Sequence, residues 1–155
     1  MRPVLSKAFV ALAIASVAAF GADNTLGTWK LNVEKSKFTP NPTRSYKSLT
    51  FIREASDGGV RQTATGEFAD GTVINASYTL KYDGKDVQIS GNGGSDTIAV
   101  KQVDANTLTE VRTRRSNKST GQVVISNSGK TMTWTSKGTN ADGKEFVYVH
   151  VFDKQ

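Results

Sequence analysis

Turn-forming clusters recur about every ten residues along this chain, and that spacing limits the folds open to it. They are Asp57-Gly58-Gly59, Asp70-Gly71, Asp83-Gly84, Gly91-Asn92-Gly93-Gly94, Asp104-Ala105-Asn106, Ser128-Gly129 and Asp142-Gly143. Asp-Gly and Asn-Gly suit tight hairpins because both central residues must accept positive φ. The stretches between them are rich in Thr, Val, Ile, Tyr and Phe, and they alternate. In 72–82, Ile74, Ala76, Tyr78, Leu80 and Tyr82 fall on one face, with Asn75, Ser77, Thr79 and Lys81 on the other. Ten strands are expected: 26–32, 46–54, 60–68, 72–82, 86–90, 97–103, 107–115, 121–127, 131–137 and 145–152. Only Val33 to Phe38 reads as a candidate helix, ended by Pro40 and Pro42. Successive tight hairpins favour an all-β, up-and-down antiparallel meander barrel over a sandwich, since closure removes exposed edges. Thr63-x-x-Gly66-x-x-Ala69-Asp70-Gly71 repeats in outline as Thr135-x-x-Gly138-x-x-Ala141-Asp142-Gly143. Similar hairpins with similar turn chemistry explain that repeat.

The first residues follow a different grammar. Arg2 and Lys7 precede an uncharged run, Ala8 to Phe20, and small residues follow. This is the pattern of a secretory signal peptide at 1–21, leaving one domain at 22–155. Cleavage after Ala19 fits as well as cleavage after Gly21. The apolar run is about thirteen residues, short of the roughly twenty needed to span a bilayer, so no membrane span is expected. The expected destination is the periplasm or the exterior of the cell. Removing 1–21 takes away two of the 20 basic residues and none of the 14 acidic ones, so a net charge of +6 becomes +4. That mild, dispersed excess does not point to nucleic acid.

With no Cys, the chain has no disulfide scaffold, thiol nucleophile or cysteine-built metal site, and one His excludes multi-histidine metal motifs. No cofactor is expected. A Ser-His-Asp arrangement would need a serine and an acid converging on His150, and no nucleophile-elbow motif is present. The expectation is a protein that is not an enzyme.

Leu26-Gly27-Thr28-Trp29-Lys30-Leu31 carries a Gly-x-Trp on the first strand. It resembles the opening of the lipocalin and fatty-acid-binding-protein (calycin) superfamily. His150-Val151-Phe152-Asp153-Lys154-Gln155 resembles the closing strand of the fatty-acid-binding branch, whose pattern is Arg-x-Tyr-Glu-Lys. More narrowly, Gly27 to Asn32 with Lys35-Ser36-Lys37-Phe38 resembles small secreted bacterial lipocalin-like proteins of unassigned function. The resemblance implies a barrel of about 8–10 strands that binds or carries a small hydrophobic molecule. It also implies an inward Arg and Tyr that hold a carboxylate. Here His150 and Phe152 stand in those places, so a neutral or aromatic ligand suits the chain better. Read physically, Gly27 permits close strand approach and Trp29 is a plug for one barrel end.

Alternation places Phe68, Phe146 and the candidate ligand-binding residues Gln62, Tyr78, Tyr82, Trp134, Tyr148, His150 and Phe152 inside. A barrel of this size is either filled by side chains or holds one small ligand. The alternative to a ligand carrier is therefore a non-enzymatic structural or envelope-interaction domain with a filled core. Glu110 lies inside together with Leu108, Arg112 and Arg114, or outside if Thr109, Val111 and Thr113 turn inward; a one-residue slip decides. Arg112, Arg114, Arg115 and Lys118 form the densest basic cluster, expected at a hairpin tip with Asn117, Ser119 and Gly121. Val147, Val149 and Val151 give the last strand a second apolar face. Either residues 33–38 or a second copy of the chain, in a homodimer through this strand, is expected to cover it.

Overall fold

The structure, a computed structural model, describes residues 23–42 and 45–155. The signal peptide expected at 1–21 lies outside the described residues. Eleven antiparallel strands form one sheet: β1 (Gly27–Thr39), β2 (Tyr46–Ser56), β3 (Gly59–Phe68), β4 (Val73–Leu80), β5 (Val87–Gln88), β6 (Ser90–Asn92), β7 (Thr97–Asp104), β8 (Thr107–Arg114), β9 (Asn117–Ile125), β10 (Thr131–Thr139) and β11 (Glu145–Lys154). The order across the sheet is β5-β7-β8-β9-β10-β11-β1-β2-β3-β4-β6. Apart from β11 beside β1 and the short β5 and β6, every strand lies next to its neighbour in sequence, as tight hairpins dictate. Among the described residues no helix is long and apolar enough to cross a membrane.

The two edge strands are halves of one segment. Val87 and Gln88 pair with Ile98 and Thr97 of β7, whereas Ser90, Gly91 and Asn92 pair with Ser77, Ala76 and Asn75 of β4. The segment thus changes partner at Ile89 and closes the ring into a barrel, and this split is why eleven strands replace the ten expected. The seam leans on Gly91, which has φ +85 and would place a Cβ 2.1 Å from the Asn75 carbonyl oxygen. Gly91→Ala is expected to cost about 1–3 kcal/mol. The loss should appear as faster amide exchange at 75–77 and 90–92, with β9, β10 and β11 unchanged.

Strict alternation builds the interior. Leu49, Phe51 and Arg53 of β2 point inward, with Val60, Gln62 and Ala64 of β3 and Ile74, Ala76, Tyr78 and Leu80 of β4. Leu31 of β1, Ile98 and Val100 of β7, Leu108 and Glu110 of β8, Val123 and Ile125 of β9, Met132, Trp134 and Ser136 of β10, and His150 and Phe152 of β11 also face inward. Trp29 closes the lower end. It is fully buried, its Nε1 donates to the Thr25 carbonyl at 2.8 Å, and the Lys154 ammonium lies 5.0 Å above its ring. Phe152, equally buried, stacks on Phe51 at 4.9 Å just above this plug.

Three expectations need correction. Residues 33–38 are not helical: β1 runs to Thr39, and its pairing jumps from Asn32↔Val151 to Lys37↔Val149. Asn32 explains the bulge. Its side-chain oxygen accepts from Lys35 N, its carbonyl accepts from Ser36 Oγ, and Ser36 Oγ accepts from Val151 N. Bonds to i+3 and i+4 imitate one helical turn inside a strand. The β8–β9 hairpin turns at Arg115 and Ser116, with Arg114 opposite Asn117, so Asn117, Ser119 and Gly121 are strand residues rather than tip residues. Arg112 leaves the basic cluster altogether and points into the barrel, its side chain 12% exposed. On the outer face Val147 remains 41% exposed, and Val149 and Val151 are half-buried.

Candidate functional site

The upper half of the barrel contains a cavity bounded by residues from six parts of the ring. Leu49, Phe51, Ala64, Ile74 and Ala76 make its apolar side. Tyr46, Tyr78, Arg112 and Trp134 make its polar side, and Ile89 and Gly93 border it along the seam. Water centres can move through about 20 Å³ of it, which is room for one or two waters. Small residues produce the space: Ala64 and Ala76 sit side by side across the β3–β4 pair.

A hydrogen-bonded chain runs past this cavity to the barrel floor. Arg112 grips Glu110 through Nε (2.7 Å) and Nη2 (3.4 Å), and Nη2 also donates to the Tyr78 hydroxyl at 3.2 Å. Gln62 Nε2 donates to the same hydroxyl at 2.6 Å, and Gln62 Oε1 accepts from Arg53 Nη1. Arg53 Nη2 donates to the Tyr82 hydroxyl at 2.8 Å, which donates to Asp23 at 2.7 Å. Tyr82 reaches this position just past the end of β4, with φ 58. Burial raises its phenol pKa, and Arg53 opposes the shift. Burial also works against the Arg112 charge, but Glu110 and Tyr78 outweigh it and hold the guanidinium protonated. The register in which Glu110 and Arg112 turn inward is thus the one adopted.

Because the Tyr78 hydroxyl accepts from Gln62 on one side and Arg112 on the other, its own proton is left for the cavity that Tyr78 lines. Behind the cavity, Trp134 is sandwiched between Arg112, 4.7 Å over its ring, and His150, stacked at 4.3 Å. His150 is 2% exposed, meets the rings of Tyr46 and Phe38 edge-on, and makes no well-aligned hydrogen bond at Nδ1 or Nε2, the Trp134 backbone being its one weak partner. Burial pushes its pKa down to about 4, with the Trp134 backbone opposing and Arg112 adding to the fall. The indole N–H of Trp134 is buried and unpaired.

Of the seven candidates, Tyr78 and Trp134 reach the cavity wall. Gln62 and Tyr82 belong to the polar chain beneath it, and His150 supports Trp134 from behind. Phe152 lies deeper, against Phe51. Tyr148 sits at the upper rim, half-buried with Phe38 and Phe146 around it. The residues missed include Arg53 and Tyr46 and, in the cavity wall, Leu49, Phe51, Ala64, Ile89 and Gly93. Leu49-x-Phe51-x-Arg53 continues an inward alternation, so period two carried the signal for Arg53. Tyr46 lies below a register shift in β2, between Tyr46 and Ser48, that breaks the pattern. Among the described residues no group of three or more His, Cys, Asp and Glu could hold a metal ion.

No protein-family model matches the chain, and no curated protein does. Solved structures do. The fluorescent protein UnaG superposes with a TM-score of 0.51 at 15% identity, over 85% of this chain and 98% of that one. A single-residue mutant of UnaG gives 0.51 at 16% identity, over 85% and 96%. The fold is calycin-like. A redesigned β-barrel, mFAP1, solved bound to DFHBI, gives a TM-score of 0.40 at 18% identity, over 85% and 98%. Identities this low speak to the fold, so the chemistry of this chain rests on its own side chains.

Proposed function

We propose that this chain binds a small, mostly apolar molecule in the upper half of its barrel, against Tyr78, Arg112 and Trp134. The observation that carries the reading is the buried Arg112–Tyr78–Gln62–Arg53 chain bordering a cavity that is apolar on one side and polar on the other. A barrel that needed only a core would be more stable with hydrocarbon in those places, because buried charges cost several kcal/mol to desolvate. Apolar walls with a few convergent polar groups are the usual form of a small-molecule site. UnaG, a protein of similar fold, is fluorescent; what this chain binds is read from its own interior.

A ligand larger than two waters must displace something, and the half-buried Tyr46 and the seam residue Ile89 are placed to yield. Each fully buried apolar group contributes roughly 1.5–3 kcal/mol, so three or four of them reach the about 8 kcal/mol of micromolar binding. The same cavity size favours a second reading, a filled structural barrel that acts through its outer surface. Export, through the 1–21 leader, is part of the proposal and accords with the resemblance to secreted lipocalin-like proteins. So is a binding rather than catalytic role, since aromatic rings and not a nucleophile surround His150.

Titration of residues 22–155 with Nile red, a neutral solvatochromic dye, tests this. A saturable, one-to-one quench of Trp emission is expected. Ala64→Val, which narrows the cavity, should weaken it about tenfold or more. The absence of saturable binding at tens of micromolar would leave the filled barrel as the correct reading.

A further inference from the structure

We propose that Glu110 sets the ligand class of this barrel: by holding Arg112 it restricts the cavity to uncharged molecules bearing a hydrogen-bond acceptor, and turns carboxylates away. The inference rests on the ligand site proposed above.

The charges inside the barrel are matched. Arg112 is held by both oxygens of Glu110, the two side chains being 12% and 6% exposed. Arg53 is 4% exposed and has no carboxylate within ion-pair distance among the described residues, but Tyr82 relays it to Asp23. Two cations therefore face two anions. A carboxylate entering beside Arg112 would add an uncompensated negative charge in a low-dielectric interior, next to the Glu110 carboxylate.

Gly121 makes this arrangement physically available. It lies opposite Glu110 in the β8–β9 ladder and opposite Ser136 in the β9–β10 ladder. A Cβ there would stand 2.8 Å from Glu110 Cγ, 2.9 Å from Glu110 Oε1 and 3.1 Å from Trp134 Nε1. Only glycine lets the Glu110 side chain lie back against β9 while the indole occupies the same strip of wall. Arg112 is then fixed between the carboxylate and the Trp134 ring, 4.7 Å away. Its charge is balanced by Glu110. What the site still offers are neutral donors, the Tyr78 O–H and the unpaired Trp134 indole N–H, and a ketone, ether, ester or hydroxyl oxygen is their natural partner.

The experiment is displacement of Nile red at pH 8 by decanol and by decanoate, which share an alkyl chain and differ in charge. Decanol is expected to displace the dye at a concentration at least thirtyfold lower than decanoate. In Glu110→Gln the unmatched Arg112 should raise decanoate affinity at least tenfold, with decanol little changed. Glu110→Gln with Arg112→Gln should abolish that gain. Near-UV circular dichroism and thermal midpoints establish that the variants are folded, and the wild-type comparison decides alone if they are not. Equal displacement by decanoate and decanol would overturn the role given to Glu110 while leaving the ligand site standing. If Nile red does not bind the wild type, the site itself is refuted and this inference with it.

Discussion

Trp29→Ala is expected to lower the unfolding free energy by about 3–5 kcal/mol. Trp29 has no exposed surface, and its indole N–H is the partner of the Thr25 carbonyl. Thr25 is itself fully buried, beside Asp23 and Tyr82. Alanine removes the plug and strands a buried acceptor, which adds about 1–3 kcal/mol where no water reaches it. Lys154 also loses the ring its ammonium covers. Domains of this size hold about 5–15 kcal/mol in total, so the change consumes a fifth or more of the margin. Urea unfolding checks it: the midpoint should fall while the slope stays constant. Val73→Ala is the control, because Val73 is 65% exposed and should change stability by less than about 0.5 kcal/mol. A loss below about 1 kcal/mol for Trp29→Ala would show that the lower end is closed by something else.

The second large effect depends on pH. His150 has a folded-state pKa of about 4, below its ordinary 6.5, because burial disfavours the imidazolium. Between these values the unfolded chain binds the proton and the folded chain does not. Stability is therefore fully present above pH 6.5 and is lost as pH falls toward 4. The gap corresponds to about 3 kcal/mol. Carboxylates titrate at the lower end of the same window, so the measurement is a difference: urea midpoints from pH 8 to 4 for the wild type and for His150→Phe. Phenylalanine keeps a ring against Trp134 and removes two buried nitrogens that lack well-aligned partners. The variant should be at least as stable at pH 8 and should lack the His-linked part of the decline. Parallel pH profiles for the two proteins would remove His150 as the cause.

Legibility followed the range of the forces involved. Alternation is local, so most strands, their inward faces and the role of Trp29 could be read from neighbours two residues apart. The hairpins at Asp70-Gly71 and Asp142-Gly143 were equally local. The bulge at 33–36 was hidden because Asn32 makes turn-like bonds that mimic a helix at short range, while the strand pairing lies with distant Val149 and Val151. Arg112 was legible only as one of two registers. Its choice depends on Gly121 across the β8–β9 ladder, where a missing side chain receives Glu110. The volume left between Ala64, Ala76 and Arg112 is a property of eleven strands at once, and no window of sequence contains it.

The position of β11 between β10 and β1 has a consequence for the life of the nascent chain. Trp29 lies opposite Lys154, so the earliest strand pairs on that side with the latest. Until residues 145–154 have left the ribosome, β1 and β10 both present unbonded backbone to any passing strand. Lys30, Lys35 and Lys37 remain exposed along β1, and like charges of this kind discourage one unfinished molecule from adding to another. Completion of the ring thus needs residues 145–154, which supply the pairing partners of both β1 and β10.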